Sequence, residues 1–155
     1  MPKKRTFKEF KQGIYKPINK DKCLNKSEIF YRSGLELSVM LALDKNPNVI
    51  EWNSEGHIIP YIKPTTGQPA RYFVDFYMKV RMKDGKTEKF LVEVKPHKQT
   101  MLKEHGNAKP STILYDQIQF AINTAKWDAC RKWCALKGYT FLLMTEKDID
   151  KLKSI

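Results

Sequence analysis

The sequence predicts an α/β (α+β) domain in which helices flank a mixed β-sheet. Three observations lead to this prediction. A helix-like pattern of apolar residues runs from Ser27 to Pro47, a strand-rich hairpin runs from Arg71 to Lys98, and a nearly continuous apolar strand, Tyr139–Glu146, follows a second helical region. Elements in this order bury their apolar faces as layers around one core.

The charge of the chain predicts its kind of partner. Its 155 residues suit one domain with a sizeable core, and its formal net charge is +12. This excess favours a polyanion, most often nucleic acid, with an anionic membrane or simple solubility as the alternatives. The sequence has no membrane-length apolar run and no apolar signal region, so we expect a cytosolic protein with no membrane partner.

Basic residues concentrate at the start of the chain. Residues 1–26 hold nine Lys or Arg against two acidic residues, which is +7 of the total charge. We therefore divide the chain into a basic arm, residues 1–26, and a folded domain, residues 27–155. Such an arm either follows the phosphates of an anionic partner or is a solvated tail.

The first predicted helix carries a carboxylate on its apolar stripe. Ser27 is its expected N-cap, and Asn46-Pro47 ends it. Glu36 lies on the apolar stripe, four residues after Arg32. Either the two form a buried ion pair, or Glu36 is a metal ligand, which we favour because a buried ionised group without a role is costly.

The hairpin carries Asp75 on its first strand and Glu93 and Lys95 on its second. Side chains alternate along a strand, so Glu93 and Lys95 share one face. A two-residue turn would place Asp75 opposite Val94. A three-residue loop, 83–85, with glycine in the left-handed position, instead places Asp75 opposite Glu93, with Cβ atoms about 5 Å apart.

Two carboxylates at this distance repel each other unless a cation lies between them. Such a pair suits a hard divalent metal such as Mg²⁺, which takes oxygen ligands. The alternative is a solvated polar face in which Lys95 forms a cross-strand ion pair. Glu55, before the strand His57–Ile62, is a further candidate ligand, with an exposed loop glutamate as the alternative.

The remaining elements follow from local signals. Val49–Trp52 is a short predicted strand, and residues 97–110 form a basic loop beside the acids. We predict two helices, Ile113–Asn123 and Lys126–Lys137, the second with Thr124 as N-cap and Gly138 at its end. Tyr139–Glu146 should be a buried strand, and Thr145 should cap a last short helix with Asp148 in the capping-box position.

The order of these residues resembles a known superfamily. Glu36 on a helix, Asp75 on a strand and Glu93-Val94-Lys95 on the next strand are similar to the PD-(D/E)XK nucleases, with Val74 where the motif usually has proline. The segments YRSGLE, DKNP, RYFVDF, VEVKP and FLLMTE resemble the head completion nucleases of T-even-type tailed phages. Transposon-end-cleaving endonuclease subunits of Tn7-like elements share this order. The resemblance implies a restriction-endonuclease-like αβββαβ core.

The resemblance also implies a catalytic set of Glu36, Asp75, Glu93 and Lys95. Mg²⁺, for which Mn²⁺ substitutes, would be held by Asp75, Glu93 and the carbonyl of Val94, and by Glu36 directly or through water. Lys95 would stabilise developing charge. DNA would be bound through its phosphates with low sequence specificity. The expected contacts are Arg32, Arg71, Lys98 and Lys126.

The implied function is processing of packaged DNA ends during phage head completion and head–tail joining. It would take place in the host-cell cytoplasm or on the virion, with portal or neck proteins as partners. The alternatives are a transposon-end-cleaving endonuclease subunit and a non-catalytic DNA-binding protein of the neck or head.

Overall fold

The computed structural model describes residues 12–102 and 104–153 of the chain. Its first two α-helices enclose a run of five strands along the chain, and short 3₁₀ turns lie at Lys20–Lys22 and His97–Gln99. In chain order they are β1 Gly13–Tyr15, β2 Ile29–Tyr31, α1 Gly34–Lys45, β3 Val49–Ser54, β4 Ile58–Ile62, β5 Pro69–Phe73, β6 Phe76–Arg81, β7 Thr87–Val94, α2 Pro110–Lys137, β8 Thr140–Met144 and α3 Ile149–Lys153.

A four-stranded mixed sheet forms the centre, in the order β3-β6-β7-β8. The β3/β6 and β6/β7 pairs are antiparallel, whereas β7 and β8 are parallel. Read along the chain, α1, β3, β6, β7, α2 and β8 give the predicted αβββαβ order, and the predicted fold class is confirmed. Two further strand pairs, β1-β2 and β4-β5, form separate small sheets.

The two faces of the central sheet have different cores. Phe90, Val92 and Val94 pack with α1 and α3, while Leu91 belongs to the cluster formed with α2 and the β4–β5 hairpin. Because side chains alternate along β7, Glu93 lies on the same face as Leu91. Its carboxylate therefore enters the layer between the sheet, α2 and the hairpin.

The register of β6 and β7 is the one predicted for a three-residue loop. Phe76 pairs with Val92, and the Gly85 N–H donates to Met82 O at 2.9 Å. Gly85 has φ +83°, the left-handed conformation that this loop requires. Continued one residue past Phe76, the register places Asp75 next to Glu93.

The prediction of a single continuous strand from residue 71 into β6 is wrong. The chain breaks at Val74-Asp75, because residues before the break pair with β4 and residues after it pair with β3. Backbone hydrogen bonds hold both sides of the break. The Val74 N–H donates to His57 O at 3.0 Å, and the Glu55 N–H donates to Asp75 O at 3.0 Å. Asp75 thus lies at the bend where the chain changes sheets.

The start of the first helix also differs from the prediction. Its N-cap is Ser33 and not Ser27, and the Ser33 Oγ accepts the Glu36 N–H at 3.1 Å. Residues Ile29–Tyr31, expected to be helical, instead pair with Gly13–Tyr15. This tertiary pairing overrides the local helical pattern.

The two helices predicted after residue 110 are one helix of 28 residues, α2. Thr124 is not an N-cap, because its hydroxyl donates to Phe120 O, one turn back, at 2.8 Å. Gly138 ends the helix in the left-handed conformation, as predicted. The Thr145–Asp148 capping box is also confirmed, with the Thr145 N–H donating to Asp148 at 2.9 Å.

Strand β8 is less buried than predicted. Only Met144 among its five residues is buried, since β8 lies at the edge of the central sheet within the described residues. None of the helices in the described ranges has the length and apolar character needed to cross a bilayer.

The predicted basic arm lies partly outside the described residues, which begin at residue 12. From there the chain packs on the end of α1. The buried carboxylate of Asp44 accepts hydrogen bonds from the Tyr15 hydroxyl and from the N–H groups of Ile18 and Asn19. Lys22 Nζ donates to Asn46 O at 2.7 Å. The division of the chain at residue 26 stays a prediction.

Candidate active site

Asp75 and Glu93 form the centre of the site. The Asp75 Oδ2 accepts the Val94 N–H at 2.8 Å, which ties the bend before β6 to the end of β7. Glu93 is only 6% exposed. The structure therefore holds two carboxylates next to each other in a largely buried position.

The surroundings of these two acids raise the pKa of both. Burial raises the pKa of Asp75 well above its usual range, and the charge of Glu93 raises it further, against the hydrogen bond from Val94. Burial also raises the pKa of Glu93, while the Tyr72 hydroxyl, the charge of Lys95 and a hydrogen bond with Asp75 act in the opposite direction. The pair is short of positive charge, because the burial of both acids and the charge of Glu93 beside Asp75 outweigh the cations nearby.

Tyr72 holds the Glu93 carboxylate from the β4–β5 hairpin. Its hydroxyl donates to Glu93 Oε2, and the residue is buried. Burial and the charge of Glu93 raise the pKa of Tyr72, so the hydroxyl keeps its proton. Sequence reasoning missed this residue. The available signal was its position three residues before Asp75 on a strand rich in aromatic residues, where a buried tyrosine hydroxyl needs a partner.

Two lysines lie beside Glu93. Lys95 Nζ is 3.8 Å from Glu93 Oε1, and 28% of the Lys95 side chain is exposed. The Lys126 amine lies 5.6 Å from the centre of the Tyr72 ring, and its charge lowers the pKa of Glu93. The structure thus brings Asp75, Glu93 and Lys95 together, and adds Lys126 from α2. Their roles in catalysis stay predictions.

Glu36 lies near the acid pair but has a structural role as well. Its charge contributes to the raised pKa of Asp75. Its Oε2 accepts the Arg32 N–H at 3.1 Å, and its own N–H donates to Ser33 Oγ. Glu36 therefore stabilises the start of α1 much as in a capping box, but the backbone donor is the residue before the N-cap. The sequence has Ser33 and Glu36 at the Ser-x-x-Glu spacing, which is a signal for a helix that starts at Ser33 and not at Ser27.

The Arg32 side chain does not pair with Glu36. Its guanidinium donates to Glu55 Oε1 at 2.7 Å, and both side chains are largely exposed. Glu55 has φ +55°, a left-handed conformation that is unfavourable for a residue with a Cβ. Its backbone N–H is bonded to Asp75 O, so this residue supports the bend that positions Asp75. Its role as a ligand stays a prediction.

The donors present fit a magnesium ion. Within residues 12–102 and 104–153, no cluster of three or more His, Cys, Asp or Glu side chains is arranged to hold a metal. The site therefore offers two close carboxylates, Asp75 and Glu93, with Glu36 farther away. Mg²⁺ is commonly held by one or two carboxylates together with waters and substrate phosphates. Two adjacent carboxylates whose negative charge is not balanced by neighbouring cations suit this ion.

The other predicted DNA contacts are exposed. Arg71 lies on the outer face of β5, with its guanidinium 5.5 Å from the centre of the Phe73 ring. Lys98 lies in the turn that follows Lys95, and the bond from the His97 N–H to Glu146 at 2.9 Å anchors that turn. Arg71 thus lies on the face of β5 opposite Tyr72, whose hydroxyl contacts Glu93.

Comparison with known proteins defines the class of the protein. The family described as TnsA-like endonuclease N terminal matches residues 46–146, a range that contains Asp75, Glu93 and Lys95 but not Glu36. The chain belongs to this family of PD-(D/E)XK-type nucleases. It is also 33% identical, over 129 residues, to the head completion nuclease of Enterobacteria phage T4, with 81% of this chain and 83% of that protein covered. The protein is a nuclease of the TnsA-like and head completion nuclease type.

Proposed function

We propose that the chain is a Mg²⁺-dependent DNA nuclease that hydrolyses phosphodiester bonds with low sequence specificity. The observation that carries this proposal is the buried Asp75–Glu93 pair, in which both pKa values are raised. A divalent cation removes the repulsion that the folded chain leaves uncompensated. Mn²⁺, which takes similar oxygen ligands, should substitute.

The ligands in this proposal are Asp75, Glu93 and the carbonyl of Val94, with Glu36 binding directly or through water. When bound, Mg²⁺ supplies Lewis-acid polarisation of the phosphate and lowers the pKa of water. Tyr72 holds the Glu93 carboxylate in a fixed orientation through its hydroxyl. Lys95 lies close enough to this centre to donate a hydrogen bond to a phosphate oxygen and to stabilise the charge that develops there.

DNA binding would rest on contacts to phosphates. Arg71 and Lys98 are exposed and Lys126 lies beside Glu93, and we assign these cations to contacts with DNA phosphates. Arg32 and the basic residues of the arm would extend this contact. Phosphate contacts carry no information about base sequence, which supports low specificity.

The biological role we propose is the processing of packaged DNA ends during phage head completion and head–tail joining. The similarity to the T4 head completion nuclease supports it. The chain would act in the host-cell cytoplasm or on the virion, with portal or neck proteins as its partners.

A second candidate is a transposon-end-cleaving endonuclease subunit, which the TnsA-like match over residues 46–146 favours. Such a subunit should need a transposase partner and should act only at element ends. Cutting of arbitrary linear DNA by the purified chain would contradict this second candidate.

The test is DNA cleavage by the purified chain with Mg²⁺, with Mn²⁺ and with EDTA. Glu93→Gln keeps the size of the side chain and the bond from Tyr72 but removes the charge. Glu88→Gln is the matched control, because Glu88 is an exposed residue of the same strand. We expect the wild type and Glu88→Gln to cut only with metal, and Glu93→Gln to bind DNA without cutting.

Equal cutting by the wild type and Glu93→Gln would overturn the proposed mechanism. Binding without cutting by all three proteins would indicate the non-catalytic DNA-binding alternative.

A further inference from the structure

A cleft of about 350 Å³ opens beside the acid pair. Lys95 and Lys126, which both act on Glu93, line it at the end near the acids. One wall is the outer half of α2, and the other is formed by residues of the segment that follows Lys95. The lining residues include Tyr115, Gln119 and Asn123 on α2, and Met101 and Leu102 on the segment after Lys95.

The α2 wall combines amide groups with an aromatic ring. Gln119 and Asn123 are half-buried, and among residues 12–102 and 104–153 the structure gives their side-chain amides no hydrogen-bond partner. Tyr115, one turn before Gln119, is 62% exposed. Nucleobases present hydrogen-bonding edges and flat faces that stack on aromatic rings, so this wall matches their chemistry.

The opposite wall carries two apolar side chains. Met101 and Leu102 are both exposed to solvent at the cleft, beside Gln99. The His105 ring bonds to Asp116 of α2 at 2.7 Å, which places His105 against the helix where Asp116 lines the cleft. The volume of the cleft falls at the lower end of the range for small-ligand pockets, about 300–1,000 Å³.

The charges of the cleft give a ligand its orientation. Lys95 and Lys126 lie at the end near Glu93, whereas Asp116 precedes Lys126 by ten residues, about 15 Å along the helix. An anionic phosphate is attracted to the lysines, whereas Asp116, whose carboxylate is bonded to His105, offers no such attraction at the other end. A nucleotide therefore fits with its phosphate toward the acid pair and its base toward Tyr115.

We propose that this cleft holds one unpaired nucleotide of the DNA strand next to the scissile phosphate. The proposal rests on the nuclease function proposed above and names its substrate class. A base in a duplex is paired and stacked and cannot enter the cleft, so the nucleotide must be in a single-stranded tail or frayed end, or flipped out. The preferred substrate is DNA with a single-stranded end.

Binding in EDTA by fluorescence anisotropy tests this proposal without cutting. Three DNAs share one duplex: a blunt form, a form with a short single-stranded tail, and a form whose tail is abasic and keeps only the phosphates. We expect the wild type to bind the tailed DNA about tenfold more tightly than the other two, since stacking of one base gives an effect of this order.

Tyr115→Ala and Gln119→Ala should bind the three DNAs almost equally. Leu114→Ala should keep the preference, because Leu114 is an equally exposed neighbour on α2 that does not line the cleft. Thermal melting of each variant checks its folding. Equal binding of the tailed and abasic DNAs by the wild type, or an unchanged preference in Tyr115→Ala, would overturn the proposal.

Cleavage with Mg²⁺ separates this proposal from the proposed function. A preference for the tailed DNA without cutting of any DNA would support the cleft and contradict the nuclease. Cutting together with equal binding of all three DNAs would support the nuclease and contradict the cleft.

Discussion

The backbone N–H of Val94 donates a 2.8 Å hydrogen bond to the carboxylate of Asp75. This bond fixes Asp75 at the bend before β6 and keeps it next to Glu93, even though the two acids repel each other. The fold therefore keeps an electrostatically unfavourable arrangement at one edge of its core. Arrangements of this kind are found at functional sites, where activity is retained at the expense of stability.

Removing one of the two charges should stabilise the protein in the absence of metal. We expect Asp75→Asn to melt several degrees above the wild type in EDTA at neutral pH. Each pKa unit corresponds to about 1.4 kcal/mol, and 1 kcal/mol to about 2–4 °C for a chain of this size. The asparagine oxygen can still accept the Val94 N–H. Melting followed by circular dichroism measures the shift.

Asp128→Asn is the control for that comparison, because Asp128 is an exposed residue of α2. It should melt within about a degree of the wild type. Mg²⁺ should raise the melting temperature of the wild type but not that of Asp75→Asn. A less stable Asp75→Asn protein in EDTA would contradict the argument from repulsion.

The stability gained by Asp75→Asn should depend on pH. The pKa values of Asp75 and Glu93 are raised in the folded state, so the folded chain holds these protons more tightly than the unfolded chain does. The stability they contribute is present below the ordinary carboxyl pKa, about 4, and is lost as the pH rises through the raised values. The difference in melting temperature should therefore be small near pH 5 and larger at pH 8. A difference in melting temperature that stays constant from pH 5 to pH 8 would contradict the raised pKa values of Asp75 and Glu93.

Tyr72→Phe should slow cutting and move the pH profile. Loss of the hydroxyl removes a hydrogen bond that lowers the pKa of Glu93, so the acidic limb of the profile should shift to higher pH. A bond to a charged group contributes about 1.5–3 kcal/mol, so we expect a loss of at least about tenfold in rate. The assay is initial cleavage rate against pH.

Tyr61→Phe is a matched control, since Tyr61 is also buried and also lies below the Lys126 amine. Its profile should match that of the wild type. A slower Tyr72→Phe protein with an unshifted profile would show that the hydroxyl does not act through the charge of Glu93.

DNA binding should weaken steeply with salt, and one lysine should account for part of the slope. Each phosphate contact contributes about −0.9 to the slope of log affinity against log salt concentration. Lys98→Ala should therefore reduce the magnitude of the slope by about one. Lys137→Ala should leave it unchanged, because Lys137 lies at the far end of α2. Equal slopes for all three proteins would remove Lys98 from the DNA contact.

The sequence predicted the centre of the site because local rules determine it. Alternation along β7 set the face of Glu93, and the left-handed Gly85 loop set the register that brings Asp75 beside it. These rules involve residues close together along the chain. They hold without knowledge of the rest of the fold.

The predictions from sequence were wrong where segments far apart along the chain pair with the same residues. Ser27 and Ser33 are both suitable N-caps, and only the pairing of Gly13–Tyr15 with Ile29–Tyr31 excludes the first. The break at Asp75 arises because the chain changes partner from β4 to β3, and no local signal marks that change.

The error at Thr124 has a different origin. Thr124 has the side chain of an N-cap, but residues 110–137 contain neither glycine nor an internal proline that would end the helix. Its hydroxyl bonds within the helix instead. The absence of a helix-breaking residue therefore predicts the length of α2 better than the presence of a capping residue does.

The single α2 helix makes its outer half a rigid extension of the core. Its buried residues, Trp127, Cys130 and Cys134, all lie in the second half, where they anchor it against the sheet. An unbroken helix advances about 1.5 Å per residue, so Tyr115 and Gln119 stand at set distances from Glu93. The spacing between a held nucleotide and the bond that is cut would then be a property of one helix, and lengthening or bending α2 at Thr124 would change where the strand is cleaved.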